Sequence, residues 1–346
     1  MFDFTEAKLE KIAIHKIGNK IQDEDLILSE DVITVDEEIK ELLKKYFLSN
    51  FKSEEFNQFH HDSDLNLNEV FSFSRHIFDQ TGGFFDLSVS MAKHLYNQTD
   101  HPNIKAGELY IAHITDCIVD DELVDAIGIF KSENKETYIK IYQEEKAFSL
   151  DKQEGININK LDKGCLIFNT EKEFGYKVAV IDKTNKDETK YWNEKFLNVK
   201  PLSNKFYQTN NYLNLCKSFV KEVFNTKNEV EKTDQIELLN RSIEYFKEEE
   251  VFDENQFKST VLTDHDVKEA FSEFKDKYET DNCISFTQSF SISEQAVKGQ
   301  QKNFKSILKL DKNFHIYIHG NKELVEKGFD KDKQMNFYKL FFEKEA

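Results

Sequence analysis

Gly107-Glu108-Leu109-Tyr110-Ile111-Ala112-His113-Ile114-Thr115-Asp116-Cys117-Ile118, followed after an acidic break by Glu122-Leu123-Val124-Asp125-Ala126-Ile127-Gly128-Ile129-Phe130-Lys131, is the stretch that decides the fold. Both runs are dense in β-branched and aromatic residues and too short to be long helices, and Asp120-Asp121 between them supplies turn residues. Segments of the same character recur at 137–143, 146–151, 164–169 and 175–182, separated by Gly, Asp, Asn and Lys clusters. The spacing predicts a mostly antiparallel sheet.

Upstream, residues 9–28 alternate loosely around Gly18-Asn19-Lys20, as two short strands joined by a turn would. A helix follows: Thr34 and Glu37 have capping-box spacing, and Ile39, Leu42, Leu43, Tyr46 and Phe47 form one apolar stripe. Two more helical stretches lie near 68–80 and 84–97, separated by Thr81-Gly82-Gly83. Downstream of Trp192 and Pro201 the period returns to 3.6, giving helices near 206–224, 234–249 and 265–279, and strand-like runs close the chain at 283–290, 304–310, 314–319 and 335–342. The fold class expected is α+β. Residues 1–200 carry helices on a mostly antiparallel sheet, and residues 201–346 form a helical domain closing with a small antiparallel sheet.

Composition agrees with a soluble globular chain. Of 346 residues 39% are hydrophobic, 13% aromatic and 32% charged, and mean hydropathy is −0.65. The 32 Phe and 13 Tyr must mostly be buried, while 11 Gly and 2 Pro are too few for a turn-dense all-β fold. The opening Met1-Phe2-Asp3-Phe4-Thr5-Glu6 has no basic region before an apolar run, and no stretch reaches the ~20 apolar residues of a membrane span, so a cytoplasmic location is expected. Cys117, Cys165, Cys216 and Cys283 never form a close pair, which points to reduced, mostly buried thiols rather than a zinc site or disulfides.

Charge is distributed unevenly. The net charge is −18, yet residues 298–322 hold six lysines (Lys298, Lys302, Lys305, Lys309, Lys312, Lys322) against Asp311, a local +5, and residues 1–297 carry −22. Arg75 and Arg241 are the only arginines among 47 basic residues, so this surface would hold phosphates without reading base edges.

Within the basic segment, Phe304 to Leu310 and Phe314 to His319 alternate around Asp311-Lys312-Asn313, a hairpin with a three-residue loop. Pairing Leu310 with Phe314 sets Lys309 opposite His315, Ile307 opposite Tyr317 and Lys305 opposite His319, and places Leu310, Phe314, Leu308 and Ile316 on the core face. The candidate nucleic-acid-binding set is therefore Lys298, Lys302, Lys305, Lys309, Lys312, His315, Tyr317 and His319, able to pair with phosphates and stack on a base. The competing reading is a solvent face made basic for solubility and edge protection.

Other chemistry is weaker. His315 and His319 lack a carboxylate or cysteine at ligand spacing, and His60-His61-Asp62-Ser63-Asp64 reads as turn and capping residues rather than a divalent-cation loop, so no metal is expected. Asp125 with Glu133 and Lys135 echoes the D…ExK arrangement of Mg²⁺-dependent nucleases, but the spacing is loose and Lys131 to Glu136 reads as a polar turn. GxGxxG, GxxxxGK[ST], HExxH and GxSxG are all absent, so no cofactor is expected.

Several strings form a familiar set: His61 to Leu65 through Asn68-Glu69-Val70, His101-Pro102-Asn103-Ile104-Lys105 with Gly107-Glu108-Leu109-Tyr110, Val124 to Lys135, Gly155-Ile156-Asn157-Ile158 with Leu161-Asp162-Lys163-Gly164-Cys165, Leu238-Leu239-Asn240-Arg241-Ser242, and Phe304 to Gly320. Together they resemble the bacterial nucleoid-associated protein family of the NdpA type, along nearly the whole chain. The resemblance implies a nucleoid location and a nucleic-acid partner, DNA with RNA also open, and carries no established catalytic residues. The leading expectation is a non-enzymatic nucleoid-associated nucleic-acid-binding protein. The alternatives are a Mg²⁺-dependent nuclease using Asp125, Glu133 and Lys135, and an acidic adaptor held on the nucleoid by a basic protein partner, a role the −22 region would suit.

Overall fold

The computed structural model describes residues 2–52, 55–145, 147–183, 191–225, 230–282, 284–302, 304, 307–317 and 324–344. The chain forms two compact units, Met1–Leu202 and Ser203–Ala346.

In the first unit, β1 (Phe2–Asp3), β2 (Lys8–Ile17) and β3 (Ile27–Leu28) precede helix α1 (Glu37–Leu48). Strand β4 (Phe56–Phe59) leads into α2 (Glu69–Phe78) and α3 (Phe84–Asn97). The long strands β5 (Gly107–Val119) and β6 (Glu122–Ser132) follow, then β7 (Glu136–Glu144), β8 (Ala147–Gly155), β9 (Lys163–Phe168), β10 (Lys177–Asp182), a wide helical turn at Tyr191–Leu197 and β11 (Val199–Pro201). Among the described residues nine of these strands make one antiparallel sheet in the order β11-β4-β10-β9-β6-β5-β2-β3, with β1 also on β5. Hairpin β5–β6 is its centre, paired from Glu108 opposite Ser132 to Val119 opposite Glu122 with one slip of the ladder between Ile114 and Cys117.

Both faces of that centre are covered, and side-chain alternation decides which residue meets which layer. Leu109, Ile111, Ile127, Ile129, Cys165 and Ile167 face α2 and α3, which bury Val70, Phe71, Met91 and Leu95 against them. Tyr110, Ala112, Ile114, Phe130, Leu166 and Phe168 face α1. On β2 the parity changes where the ladder slips between Leu9 and Lys11, so that Leu9 and Ile12 share a face.

Helix α1 differs from its expected form at both ends. Its N-cap is Asp36, whose carboxylate accepts from the Ile39 N–H at 2.8 Å, rather than Thr34. Ile39 and Leu42 stay exposed, because the helix meets the sheet face through Leu43 and its last turn, Tyr46-Phe47-Leu48. There Phe47 stacks on Phe130, with centroids 4.2 Å apart and planes 4° from parallel. Between β2 and β3 the chain takes a short helical turn at Lys20–Gln22 where only a turn was expected. Short strands β4 and β11 and the turn Tyr191–Leu197 carried too few residues to show a period in the sequence.

Among the described residues strands β7 and β8 pair only with each other, Glu136 opposite Gly155 through Glu144 opposite Ala147. They form a ribbon off the main sheet.

The second unit opens with α4 (Lys205–Glu222) and α5 (Lys232–Glu248), then β12 (Val251–Asp253), α6 (Glu254–Thr260), α7 (His265–Asn282), β13 (Ser289–Ser291) and α8 (Glu294–Gln301). The chain ends in β14 (Ile307–Leu310), β15 (Phe314–Tyr317), β16 (Val325–Asp330) and β17 (Met335–Leu340). The core is aromatic: Tyr212 on α4 is fully buried among Phe246, Phe252, Phe257, Phe271, Phe286 and Phe290. Instead of one closing sheet, the described residues contain three separate two-stranded antiparallel sheets, β12–β13, β14–β15 and β16–β17. Cys117, Cys165 and Cys216 are buried free thiols, and burial raises the pKa of each; Cys283 lies outside the described residues.

Candidate nucleic-acid interface

Hairpin β14–β15 has the register its alternation requires: Ile307 opposite Tyr317, Leu308 opposite Ile316, Lys309 opposite His315, Leu310 opposite Phe314. Leu308 is buried against Ile236 of α5, with Leu310 and Ile316 half-buried beside it. Phe314 shares the face of Leu308 and Ile316 by register but is not buried there as expected. It is 63% exposed, because the apolar cover offered by Ile236, Val325 and Tyr338 reaches Leu308, Leu310 and Ile316 only. His315 and Tyr317 are exposed on the other face, and Lys312 is exposed in the loop, where Asp311 takes the left-handed conformation at φ 50°. Lys305 and His319 lie outside the described residues, as does the side chain of Lys309.

The remaining two lysines of the set lie on another element. Lys298 sits in α8, a helix not expected from the sequence, and its ammonium meets Glu294 one turn back at 3.1 Å. Lys302 caps the same helix and is exposed.

A second group of lysines belongs to the same unit and was missed in the sequence. Lys217, Lys221 and Lys232 line a groove of about 700 Å³ with Asn214, Ser218 and Tyr278. The signal was present: Lys217 and Lys221 are four apart on α4, hence on one helix face. Burial raises the Tyr278 pKa, so its phenol stays a protonated donor at the groove wall. Groove and hairpin share α5, since Lys232 and Gln235 line the one while Ile236 supports the other.

The D…ExK set does not assemble. Asp125 lies near the start of β6 and Glu133 just past its end, about 27 Å apart at ~3.4 Å per residue of strand. Asp125 faces His113 at 3.7 Å. Lys135 is paired with Glu108 at 2.6 Å. Glu133 is instead part of a buried polar cluster: its Oε1 accepts from Lys131 Nζ at 2.7 Å and from the Tyr191 hydroxyl at 3.0 Å. Lys131 completes its three donors on the Lys105 carbonyl at 2.5 Å and on the Tyr191 oxygen at 3.1 Å. Beside it buried Lys163 meets Asp182 at 2.7 Å, its ammonium 5.1 Å from the Tyr191 ring centroid. Burial lowers the Lys131 pKa.

In the loop before α2, Asp64 caps the helical turn Leu65–Leu67 by accepting from the Asn66 N–H at 2.9 Å, and His60 contacts Asp62 at 3.2 Å. No helix among the described residues is long and apolar enough to cross a membrane.

No curated protein sequence matches the chain. A family model does, over residues 13–335, a span that takes in most of the central sheet, the buried Lys131–Glu133 cluster and the β14–β15 hairpin. Since that match covers nearly the whole chain, the protein belongs to the family described as nucleoid-associated protein YejK.

Proposed function

We propose that this chain is a non-enzymatic nucleoid protein that binds DNA through phosphate contacts made by the β14–β15 hairpin. The observation that carries the reading is the two-sidedness of the hairpin: Leu308 is buried, His315 and Tyr317 are exposed opposite it, and the segment has a local charge of +5 in a chain of −18. Lys302 and Lys312 extend the cationic surface, and the lysine groove beside α5 offers a second track for the backbone. Lysine without arginine holds phosphate as a point charge and gives little base readout.

The test is a salt-titrated binding assay on duplex DNA, single-stranded DNA and RNA. Each engaged lysine contributes about −0.9 to the slope of log K against log salt on duplex. The hairpin alone gives roughly −2 to −4, and Lys305→Gln with Lys309→Gln flattens it by about 2 on every sequence. Tyr317→Ala weakens single-stranded binding more than duplex binding, by roughly 1–3 kcal/mol if its ring stacks on bases. An unchanged affinity and slope in the folded double variant would remove the hairpin as contact surface. Mg²⁺-dependent cleavage of the substrate would replace this reading with the nuclease one, and capture only by a basic protein, released by salt, would replace it with the adaptor.

A further inference from the structure

The β7–β8 ribbon carries a face whose apolar side chains are exposed among the described residues. Its register fixes which residues share that face: Ile139 lies opposite Lys152, Ile141 opposite Leu150, and Gln143 opposite Phe148. Ile139, Ile141, Phe148 and Leu150 are 66%, 64%, 69% and 70% exposed. The other face is polar and satisfies itself. Tyr138 donates to Gln153 at 2.9 Å, Gln153 donates to the Tyr142 oxygen at 3.1 Å, and Lys140 lies 4.9 Å from the Tyr142 ring centroid. That second face is therefore the water-facing one, and the first awaits a partner. An isolated two-stranded ribbon is marginal in water, and four large apolar side chains on one side of it add a standing cost.

We propose that this face is where a second copy of the chain docks, the two ribbons packing face to face about a two-fold axis. Three observations select that occupant. The face is self-complementary: Ile141 and Leu150 are directly opposed at its centre, so a two-fold axis there lays the Phe148 end of one ribbon on the Ile139 end of the other. The area suffices, since covering the exposed parts of these four side chains removes roughly 500 Å² per copy, about 1,000 Å² in all, the lower bound for a specific interface. Charge excludes nucleic acid but not a second copy. Residues 136–155 hold five acids and three lysines, while the charges on the apolar face, Lys152 and Glu154, pair within the chain at 3.5 Å and leave that face neutral. The inference does not depend on what the basic hairpin binds.

The experiment is sedimentation and light scattering on the full chain over a concentration series. The wild type is expected at twice its 40.8 kDa, and Ile141→Asp with Leu150→Asp at 40.8 kDa, its dissociation constant raised at least about 100-fold. The fluorescence of buried Trp192 checks that the variant remains folded. Tyr142→Ser, on the polar face, is expected to remain dimeric. A separate readout does not require loss of assembly: in a Cys283→Ser background, Ile141→Cys treated with a short bismaleimide is expected to give a covalent dimer that the background chain does not. A monomeric wild type at ~100 µM, a double variant that stays dimeric, or failure of the cysteine variant to crosslink would each overturn the proposal.

Discussion

Replacing Glu133 by Ala should unfold the first unit far more readily than any loss of surface charge would. Lys131 and Glu133 have side chains 0% and 5% exposed, 2.7 Å apart. Without the carboxylate, the Lys131 ammonium keeps the Lys105 carbonyl and the Tyr191 hydroxyl but has lost its nearest counter-charge in a site that excludes water. Breaking a buried pair from one side costs about 3–5 kcal/mol. With a urea m-value of about 2–3 kcal/mol/M for a unit of this size, the midpoint falls by about 1.5 M. Trp192, the chain's single tryptophan, is fully buried in that unit and next in sequence to Tyr191, so its fluorescence reports this unit alone. The pH dependence has a definite sign. Burial already holds the Lys131 pKa below the ordinary 10.5 with Glu133 present, and removing that carboxylate takes away a group that raises it, so in the variant the unfolded chain binds the extra proton and stability rises as pH climbs toward 10.5. Lys131→Met combined with Glu133→Gln removes both charges, keeps an acceptor for Tyr191, and should recover most of the loss. A fall of less than 1 kcal/mol in the alanine variant, with no recovery on raising pH, would refute a structural role for the pair.

The neighbouring predictions use the same fluorescence readout. His15 is buried with Nδ1 accepting from the Ser29 N–H and Nε2 at 3.0 Å from Ser88 Oγ, and burial lowers its pKa below 6.5. Its contribution to stability is therefore whole above pH 6.5 and is lost as pH falls from there through the lowered folded value; His15→Gln should flatten this acid limb relative to wild type. Gly107→Ala would set a Cβ 1.9 Å from the Ser132 carbonyl oxygen where β5 and β6 pair, so a loss of about 3 kcal/mol is expected in the denaturation midpoint, with serine no better.

The sheet was legible because its strands are long and bounded by strong turn residues: Asp120 and Asp121 both take positive φ between β5 and β6. Helices α2 and α3 were legible because their buried residues recur at helical spacing on the face that meets the sheet. What escaped was short or set by tertiary context. Strands β4 and β11 exist only as additions to the edge beyond β10, and their few residues carry no period of their own. Helix α8 was hidden by its content, since Glu294 to Gln301 offers only Ala296 and Val297 as buried apolar residues. The Asp125–Glu133–Lys135 set shows the reverse failure. Spacing in sequence suggested a cluster, and extended backbone carried its members apart. The exposed histidine and tyrosine of the hairpin followed from alternation alone, whereas the groove needed two helices to bring Lys217 and Lys232 together.

On the function proposed above, the acidic bulk and the basic hairpin act on DNA with opposite sign, and this conflict gives the proposed dimer of ribbons a consequence for binding. A single patch of two to four engaged lysines is weak at physiological salt, and the −22 carried by residues 1–297 discourages any wider contact with the phosphate backbone. Two such chains joined through their ribbons present two patches on one particle, and the second contact forms at the effective concentration set by the first. Where both patches reach one duplex, dimerisation strengthens binding without any new contact to DNA and doubles the salt slope, because each copy displaces its own counterions. Ile141→Asp with Leu150→Asp lies outside the basic segment, so it should leave short-oligonucleotide binding unchanged while weakening binding to long duplex at least about tenfold and halving its slope. Equal affinity of the monomeric variant and wild type for long duplex would show that the two patches never engage the same molecule. The ribbon would then serve stability or another partner, and the weak lysine patch would act alone.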